Sequence, residues 1–275
     1  MKKAILVVSF GTTHQDTMEA TIKKIEEKVE DKFKEYEIRR AFTAHQIIKI
    51  LKERDGVHED TPEEALSKLH KENFSEVVVQ PLHIIPGDEY EYIKYVVDKF
   101  RALGVFEKLI LGRPVLYFKG DGEEIPDDYS IFVEAMNSEL TKLSPVVLMG
   151  HGSTHPANSS YNCLQEVLRD KGFDNAYIAT VEGYPTIDYV IEKVKTDGLN
   201  QVSLMPLMLV AGEHAKNDMQ CTWKELLEKE EIQASVYLHG LGEIEKFQDI
   251  YIEHIEDAIK GKYIEPGKIK KLANI

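Results

Sequence analysis

Pro145-Val-Val-Leu-Met-Gly-His-Gly-Ser-Thr-His155 sets an unbroken apolar run against a histidine held between two glycines. Residues 146–149 read as a strand covered on both faces, because four consecutive apolar side chains leave no face for solvent. The run stops at Gly150-His151-Gly152, and Ser153 and Thr154 suit the cap of a following helix. Strands of this kind belong to parallel sheets flanked by helices. In open α/β sheets ligands gather outside the carboxyl ends of the strands. His151 is therefore the first candidate for chemistry.

Outward from this stretch, strands alternate with helices of about ten residues or more. Strands are expected at 3–10, 36–42, 76–80 and 106–111, and again at 146–149, 176–180, 201–205 and 235–238. Helices are expected over 17–34, 44–54, 61–71, 88–103, 129–143, 157–169, 186–195, 217–229 and 244–259. Thr61-Pro62-Glu-Glu is a helix start with an N-cap, a proline at the first helical position and acids in the first turn.

The two series of strands are related. Val8-Ser-Phe-Gly-Thr-Thr-His14 lines up with Met149-Gly-His-Gly-Ser-Thr-His155, and Pro81-Leu-His-Ile-Ile-Pro-Gly-Asp-Glu89 with Pro206-Leu-Met-Leu-Val-Ala-Gly-Glu-His214. The fold class is α/β: two homologous lobes, each a parallel sheet flanked by helices, with a cleft between them. Gly120-Asp-Gly-Glu-Glu-Ile-Pro-Asp-Asp128 is the most loop-like stretch and places the division at 1–128 and 129–275.

The repeat is chemically asymmetric. Phe10 stands where His151 stands, Glu89 where His214 stands, and Thr43 roughly where Glu182 stands. His151, Glu182 and His214 thus fall at the ends of three successive strands. Neighbouring strands lie about 5 Å apart, so the three side chains can converge on one ion. Two imidazoles and a carboxylate suit divalent cobalt, nickel, iron or zinc. His151 can also accept a proton from a weakly acidic N–H at neutral pH, and Glu89 can receive or relay a second. His155 and His14 read as capping residues, and His58, His70, His239 and His254 as surface residues.

Composition narrows the function classes. The chain has 275 residues, 43% of them hydrophobic and 30% charged, enough for a sizeable core. A formal charge of −14 argues against nucleic acid and against an anionic membrane surface. Cys163 and Cys221 match no metal or disulfide spacing and read as buried thiols. The basic, apolar start breaks after about seven apolar residues into Gly11-Thr-Thr-His; it reads as a first strand rather than a leader, and a cytoplasmic protein is expected. Neither the dinucleotide Gly-x-Gly-x-x-Gly nor the Walker spacing occurs in the glycine-rich turns.

Six stretches carry a family resemblance: Lys2-Lys-Ala-Ile-Leu-Val-Val-Ser-Phe-Gly-Thr12, Arg40-Ala-Phe-Thr43, Leu82-His-Ile-Ile-Pro-Gly-Asp-Glu-Tyr90, Met149-Gly-His-Gly152, Val181-Glu-Gly-Tyr-Pro185 and Leu204-Met-Pro-Leu-Met-Leu-Val-Ala-Gly-Glu-His-Ala-Lys-Asn-Asp-Met219. Over nearly its whole length the chain resembles the anaerobic sirohydrochlorin cobalt chelatases of cobalamin biosynthesis, class II chelatases related to ferrochelatase. The resemblance implies insertion of Co(2+), as substrate metal, into sirohydrochlorin with release of two protons. It implies His151 as catalytic residue and His151, Glu182 and His214 as metal ligands, with no organic cofactor. Phe10, Gly11, Thr12 and Ser153 are the expected substrate contacts, at the helix N-termini after Gly11 and Gly152. Arg39, Arg40, Arg113 and Lys216 are further candidates for the substrate carboxylates. The chain departs from the family at Gly183, often serine, and at Pro86, often asparagine, which bears on metal and substrate preference. An iron or nickel chelatase and a non-catalytic metal or tetrapyrrole carrier are the alternatives, and a homo-oligomer stays open.

Overall fold

The structure is a computed structural model that describes residues 1–212 and 215–262. Eight strands run through it: β1 Lys2–Ser9, β2 Glu37–Phe42, β3 Phe74–Pro81, β4 Lys108–Leu111, β5 Val146–Gly152, β6 Ala176–Glu182, β7 Gln201–Pro206 and β8 Gln233–Val236. The α-helices are α1 Gln15–Ala20, α2 Ile22–Lys32, α3 His45–Asp55, α4 Pro62–Lys71, α5 Asp88–Leu103, α6 Asp128–Ala135, α7 Asn137–Leu143, α8 Ser159–Asp170, α9 Ile187–Thr196, α10 Lys224–Lys229 and α11 Glu245–Ile259. A wider helical segment with π geometry, Ala215–Trp223, runs into α10. Among the described residues no helix is long and apolar enough to cross a membrane.

The strands form two all-parallel sheets of four, ordered β2-β1-β3-β4 and β6-β5-β7-β8. The chain divides into two compact units: Met1–Thr13, Ile25–Asp128 and the stretch from Asp249 onward form the first, and His14–Lys24 with Tyr129–Gln248 the second. In this division α1 falls in the second unit, and α11 is shared, its residues 245–248 in the second unit and those from Asp249 in the first.

The repeat is visible in the backbone. Val8 of β1 is the register partner of Pro81 in β3, and Met149 of β5 that of Pro206 in β7. Leu82 N–H donates to Val8 O at 2.7 Å, and Leu207 N–H to Met149 O at 2.7 Å. Val115 and Leu116 N–H donate to His83 O and Ile84 O, just as Leu241 and Gly242 N–H donate to Met208 O and Leu209 O. One correction follows from register. Ser9 pairs with Phe42, and its counterpart Gly150 with Thr180. The residue equivalent to Glu182 is therefore Ala44, not Thr43, and a one-residue slip along a strand exchanges the two faces.

Both sheets are covered on both faces, as the apolar runs require. In the first unit Ala4, Leu6 and Val8 join Val77 and Val79 under Leu66 and Leu69 of α4 and Ile93, Val96 and Val97 of α5. Ile5 and Val7, on the opposite face, are equally buried. In the second unit Val147, Met149, Tyr177 and Leu204 lie under Val190, Ile191 and Val194 of α9 with Met219, Trp223 and Leu227. Each such Val, Leu or Ile contributes about 1.5–3 kcal/mol by leaving water, so these central strands are the most firmly held part of each unit.

The start of α4 is as expected. Thr61 accepts the Glu64 N–H at 3.3 Å, and Glu64 accepts the Thr61 N–H at 2.9 Å, a complete capping box. Elsewhere the structure differs. The helix expected over 17–34 breaks at Thr21, whose buried hydroxyl turns back to Thr17 O at 2.6 Å instead of facing solvent. The helix expected over 129–143 breaks at Met136. Cys221 is exposed and Cys163 half-buried, so neither is a core thiol. His254 is 1% exposed rather than on the surface, because α11 turns it onto Arg113 and Asp128.

Candidate functional site

β5 lies between β6 and β7, so the residues at its carboxyl end are flanked by two other strand ends. His151 is half-buried there, one residue before Gly152, the register partner of Glu182 at the end of β6. Glu182 is exposed. An imidazole and a carboxylate thus stand at the ends of adjacent, hydrogen-bonded strands. His214, the third expected ligand, lies outside the described residues, as does the side chain of Lys216.

The two glycines beside His151 are required by their surroundings. A Cβ on Gly150 would lie 2.7 Å from the ring of Tyr161, which is buried beneath it in α8. Gly152 has φ +80°, and a Cβ there would fall 1.6 Å from Glu182 O. The backbone of β5 is thus pressed against α8 on one side and β6 on the other, and the direction of the His151 side chain follows. Its Nδ1 lies 3.1 Å from Gly152 O; with Nδ1 protonated and donating to that carbonyl, Nε2 is the nitrogen that carries the lone pair. Gly152→Ala combines a left-handed backbone with a clash against a carbonyl. It is expected to cost at least about 2 kcal/mol and to weaken cobalt binding, checked by thermal unfolding and by metal titration.

Two residues of this site were not anticipated from the sequence. Tyr161 carries a backbone hydrogen bond with Gly152, and burial pushes its phenol up to about 12, so it stays a neutral prop. Asn158 accepts the Ser153 N–H at 3.0 Å through Oδ1 and donates to Tyr184 O through Nδ2, tying the loop after β5 to the loop after β6. Both lie on the expected helix, but apolar spacing marks only which face is buried, not what that face props up.

Ser153 is less available than its position suggests. Its Oγ accepts the His155 N–H at 2.9 Å, and His155 Nδ1 accepts the Ala157 N–H at 3.1 Å. With Ser153 N–H held by Asn158, three N–H groups of this turn are satisfied internally rather than offered to a carboxylate. His155 has the capping role expected of it.

In the first unit, the end of β1 presents Phe10, half exposed at 50%. Gly11 behind it has φ +94°, and its Cβ would meet the fully buried Phe42 ring at 2.6 Å. The turn therefore has no room to fold Phe10 inward, and an aromatic face is held toward solvent where the second unit places His151. Thr12 is buried. Glu89 is half-buried in the acidic first turn of α5, favourably placed for a carboxylate at a helix N-terminus.

The arginine candidates are engaged elsewhere. Arg39 is held by Glu37 and Glu72, Arg40 by Glu26 and Glu59, and Arg113 by Asp128 and Asp257. Proximity to a strand end in sequence did not reveal these acidic partners.

The model of the cobalt chelatase (CbiK) family matches residues 3–260. The chain belongs to this family. The CbiK-family chain is 39% identical over 266 residues to the sirohydrochlorin cobaltochelatase of Salmonella typhimurium, covering 94% of this chain and 97% of that one. It is 33% identical over 266 residues to the sirohydrochlorin cobaltochelatase CbiKC of Nitratidesulfovibrio vulgaris, covering 94% of this chain and 91% of that one. Among solved structures, SirB from Bacillus subtilis with Fe3+ shares the fold, with a TM-score of 0.65 at 14% identity over 96% of this chain and 99% of that one.

Proposed function

We propose that this chain is a sirohydrochlorin cobaltochelatase: it inserts Co(2+), the substrate metal, into sirohydrochlorin and releases two protons. The observation that carries the reading is family membership across residues 3–260, joined by two relatives of that name aligned over 94% of the chain. The strand-end placement of His151 and Glu182 supports it, because a borderline N/O donor set suits divalent cobalt.

In this reading the metal is taken up by His151, Glu182 and His214. The tetrapyrrole is received against Phe10, Gly11, Thr12 and Ser153. The pyrrole N–H protons pass to His151 and, for the second, to Glu89. Each N–H bond breaks with its electron pair staying on nitrogen, which then bonds the metal. Exchange of one dication for two protons is redox-neutral, so the step calls for no organic cofactor.

The test is turnover. Substoichiometric protein with excess cobalt and sirohydrochlorin should convert many equivalents of substrate, followed by the change in its absorbance. Conversion limited to one equivalent per chain would identify a carrier instead. Faster insertion of iron or nickel than of cobalt, measured in competition, would reassign the metal.

A further inference from the structure

At the exit of β3, His83 carries a polar ring with no hydrogen-bond partner. The backbone around it is tied down: Leu82 N–H by Val8 O, His83 O by Val115 N–H at 3.0 Å, Ile84 O by Leu116 N–H at 2.8 Å, and Leu82 O by the buried Tyr251 hydroxyl at 2.9 Å. The ring is not. Both Nδ1 and Nε2 are shielded from solvent and neither has a hydrogen-bond partner, although the residue as a whole is only half-buried. Either tautomer of a neutral imidazole has one donor and one acceptor, so two polar atoms here bear a desolvation cost with nothing returned.

The repeat shows that the fold itself does not ask for an imidazole at this position. The counterpart of His83 is Met208, in a loop with the same backbone hydrogen bonds, and Met208 packs against the apolar core of its unit. An apolar side chain meets the structural need. Burial also holds the imidazole at about 4, so it is neutral at physiological pH and a weak base. Such a ring is suited to donating or accepting a hydrogen bond, and poorly suited to taking up a proton. A half-turn about Cβ–Cγ exchanges Nδ1 with Cδ2 and Nε2 with Cε1 without moving the braced backbone, so the ring can redirect its nitrogens when a partner arrives.

We infer that His83 is a substrate-binding residue whose neutral imidazole hydrogen-bonds a polar group of the tetrapyrrole, a contact that pairs the ring only in the complex. This rests on the tetrapyrrole reading above. It differs in kind from the role of His151: His83 contributes binding, not proton transfer or metal ligation.

The experiment compares the full chain with His83→Met, the side chain of the repeat counterpart, and His83→Gln, which keeps a neutral donor and acceptor. Metal-free sirohydrochlorin is titrated by fluorescence, cobalt insertion is followed at steady state, and thermal unfolding is recorded for each. His83→Met should raise Kd and KM about three- to tenfold, the loss of one hydrogen bond. Its kcat should stay within about twofold, and its unfolding midpoint should be unchanged or higher, because an unpaired polar group has been removed. His83→Gln should recover most of the lost affinity. Unchanged Kd and KM in His83→Met, a fall in kcat at constant KM, or a lowered unfolding midpoint that His83→Gln shares would each overturn the inference. Failure of the parent chain to bind or turn over sirohydrochlorin would instead sink the functional reading itself.

Discussion

Replacing His151 with alanine is expected to slow cobalt insertion at neutral pH by about 10²–10³-fold while the chain stays folded. The size follows from what the residue supplies. Gly150 and Gly152 leave the backbone no freedom beside it, since one is backed by the Tyr161 ring and the other by Glu182 O. Gly152 O, 3.1 Å from Nδ1, favours the tautomer with the proton on Nδ1 and the lone pair on Nε2. In the proposed function alanine at 151 removes both a metal donor and a proton acceptor at one stroke, and no other β5 side chain offers either. The fold should tolerate the change because the side chain is half-buried and stands at a strand end outside the apolar core, so the stability loss should be within about 1 kcal/mol. Stopped-flow absorbance of sirohydrochlorin with excess cobalt measures the rate, and circular dichroism checks the fold. Glu182→Ala provides the contrast: it removes a ligand but no base, so it should weaken cobalt binding in titrations more than it slows a reaction saturated with metal. A His151→Ala rate within about threefold of the parent would remove His151 from the chemistry.

Much of this arrangement was legible in the residues because it depends on local pattern. Apolar runs such as 146–149 announce strands covered on both faces, whereas the close contacts that demand glycine at 150 and 152 appear only in the fold. The paired stretches at Phe10 and His151, and at Glu89 and His214, carried the repeat, and the registers Val8–Pro81 and Met149–Pro206 reproduce it. What escaped depends on partners far away in sequence. Thr21 breaks a helix through its own hydroxyl, which periodicity does not register. The counterpart of Glu182 is set by strand register, which places it one residue away from the match that the sequence repeat suggests. Arg39, Arg40 and Arg113 looked like anion sites because a sequence shows charges without their counter-charges; Glu37 shares β2 with Arg39, but Glu72, Glu26 and Asp128 come from elsewhere in the chain. His254 reads as a surface residue because nothing beside it in the sequence marks a role, and only its packing against Arg113 shows that it turns inward.

The counter-charges of Arg113 lead to the second large effect, on stability. Arg113→Met is expected to destabilise the first unit by about 3–5 kcal/mol, because it strands a buried carboxylate rather than removing a pair. Asp128 has a fully buried side chain, and Arg113 approaches both of its oxygens, Nη2 at 3.1 Å from Oδ1 and Nε at 3.1 Å from Oδ2. Phe118 N–H donates to Oδ2 at 2.8 Å, and His254 Nε2 sits 3.5 Å from Oδ1, at the limit of a hydrogen bond. Arg113 Nη1 also reaches Asp257 at 3.0 Å, so one guanidinium fastens α11 to the start of α6. Burial alone would raise the Asp128 carboxyl; His254, Arg113 and the Phe118 N–H outweigh it and hold it below its ordinary value. The sign of the pH dependence follows. A carboxyl depressed in the folded state contributes stability that is complete above its unfolded value near 3.9 and is lost as pH falls through the folded value. The parent chain should therefore lose stability below about pH 4 through this group, whereas in the variant, where Arg113 no longer opposes burial, the carboxyl is raised and this group's contribution falls as pH rises. Urea unfolding at pH 7 and at a series of acidic values measures both effects. Adding Asp128→Leu to Arg113→Met should restore most of the loss at pH 7, since the orphaned charge is gone. It should not restore all of it, because the Phe118 N–H then has no acceptor. If the single variant costs less than about 1 kcal/mol, or the double variant is weaker than the single, the buried carboxylate is not what the guanidinium is there to hold.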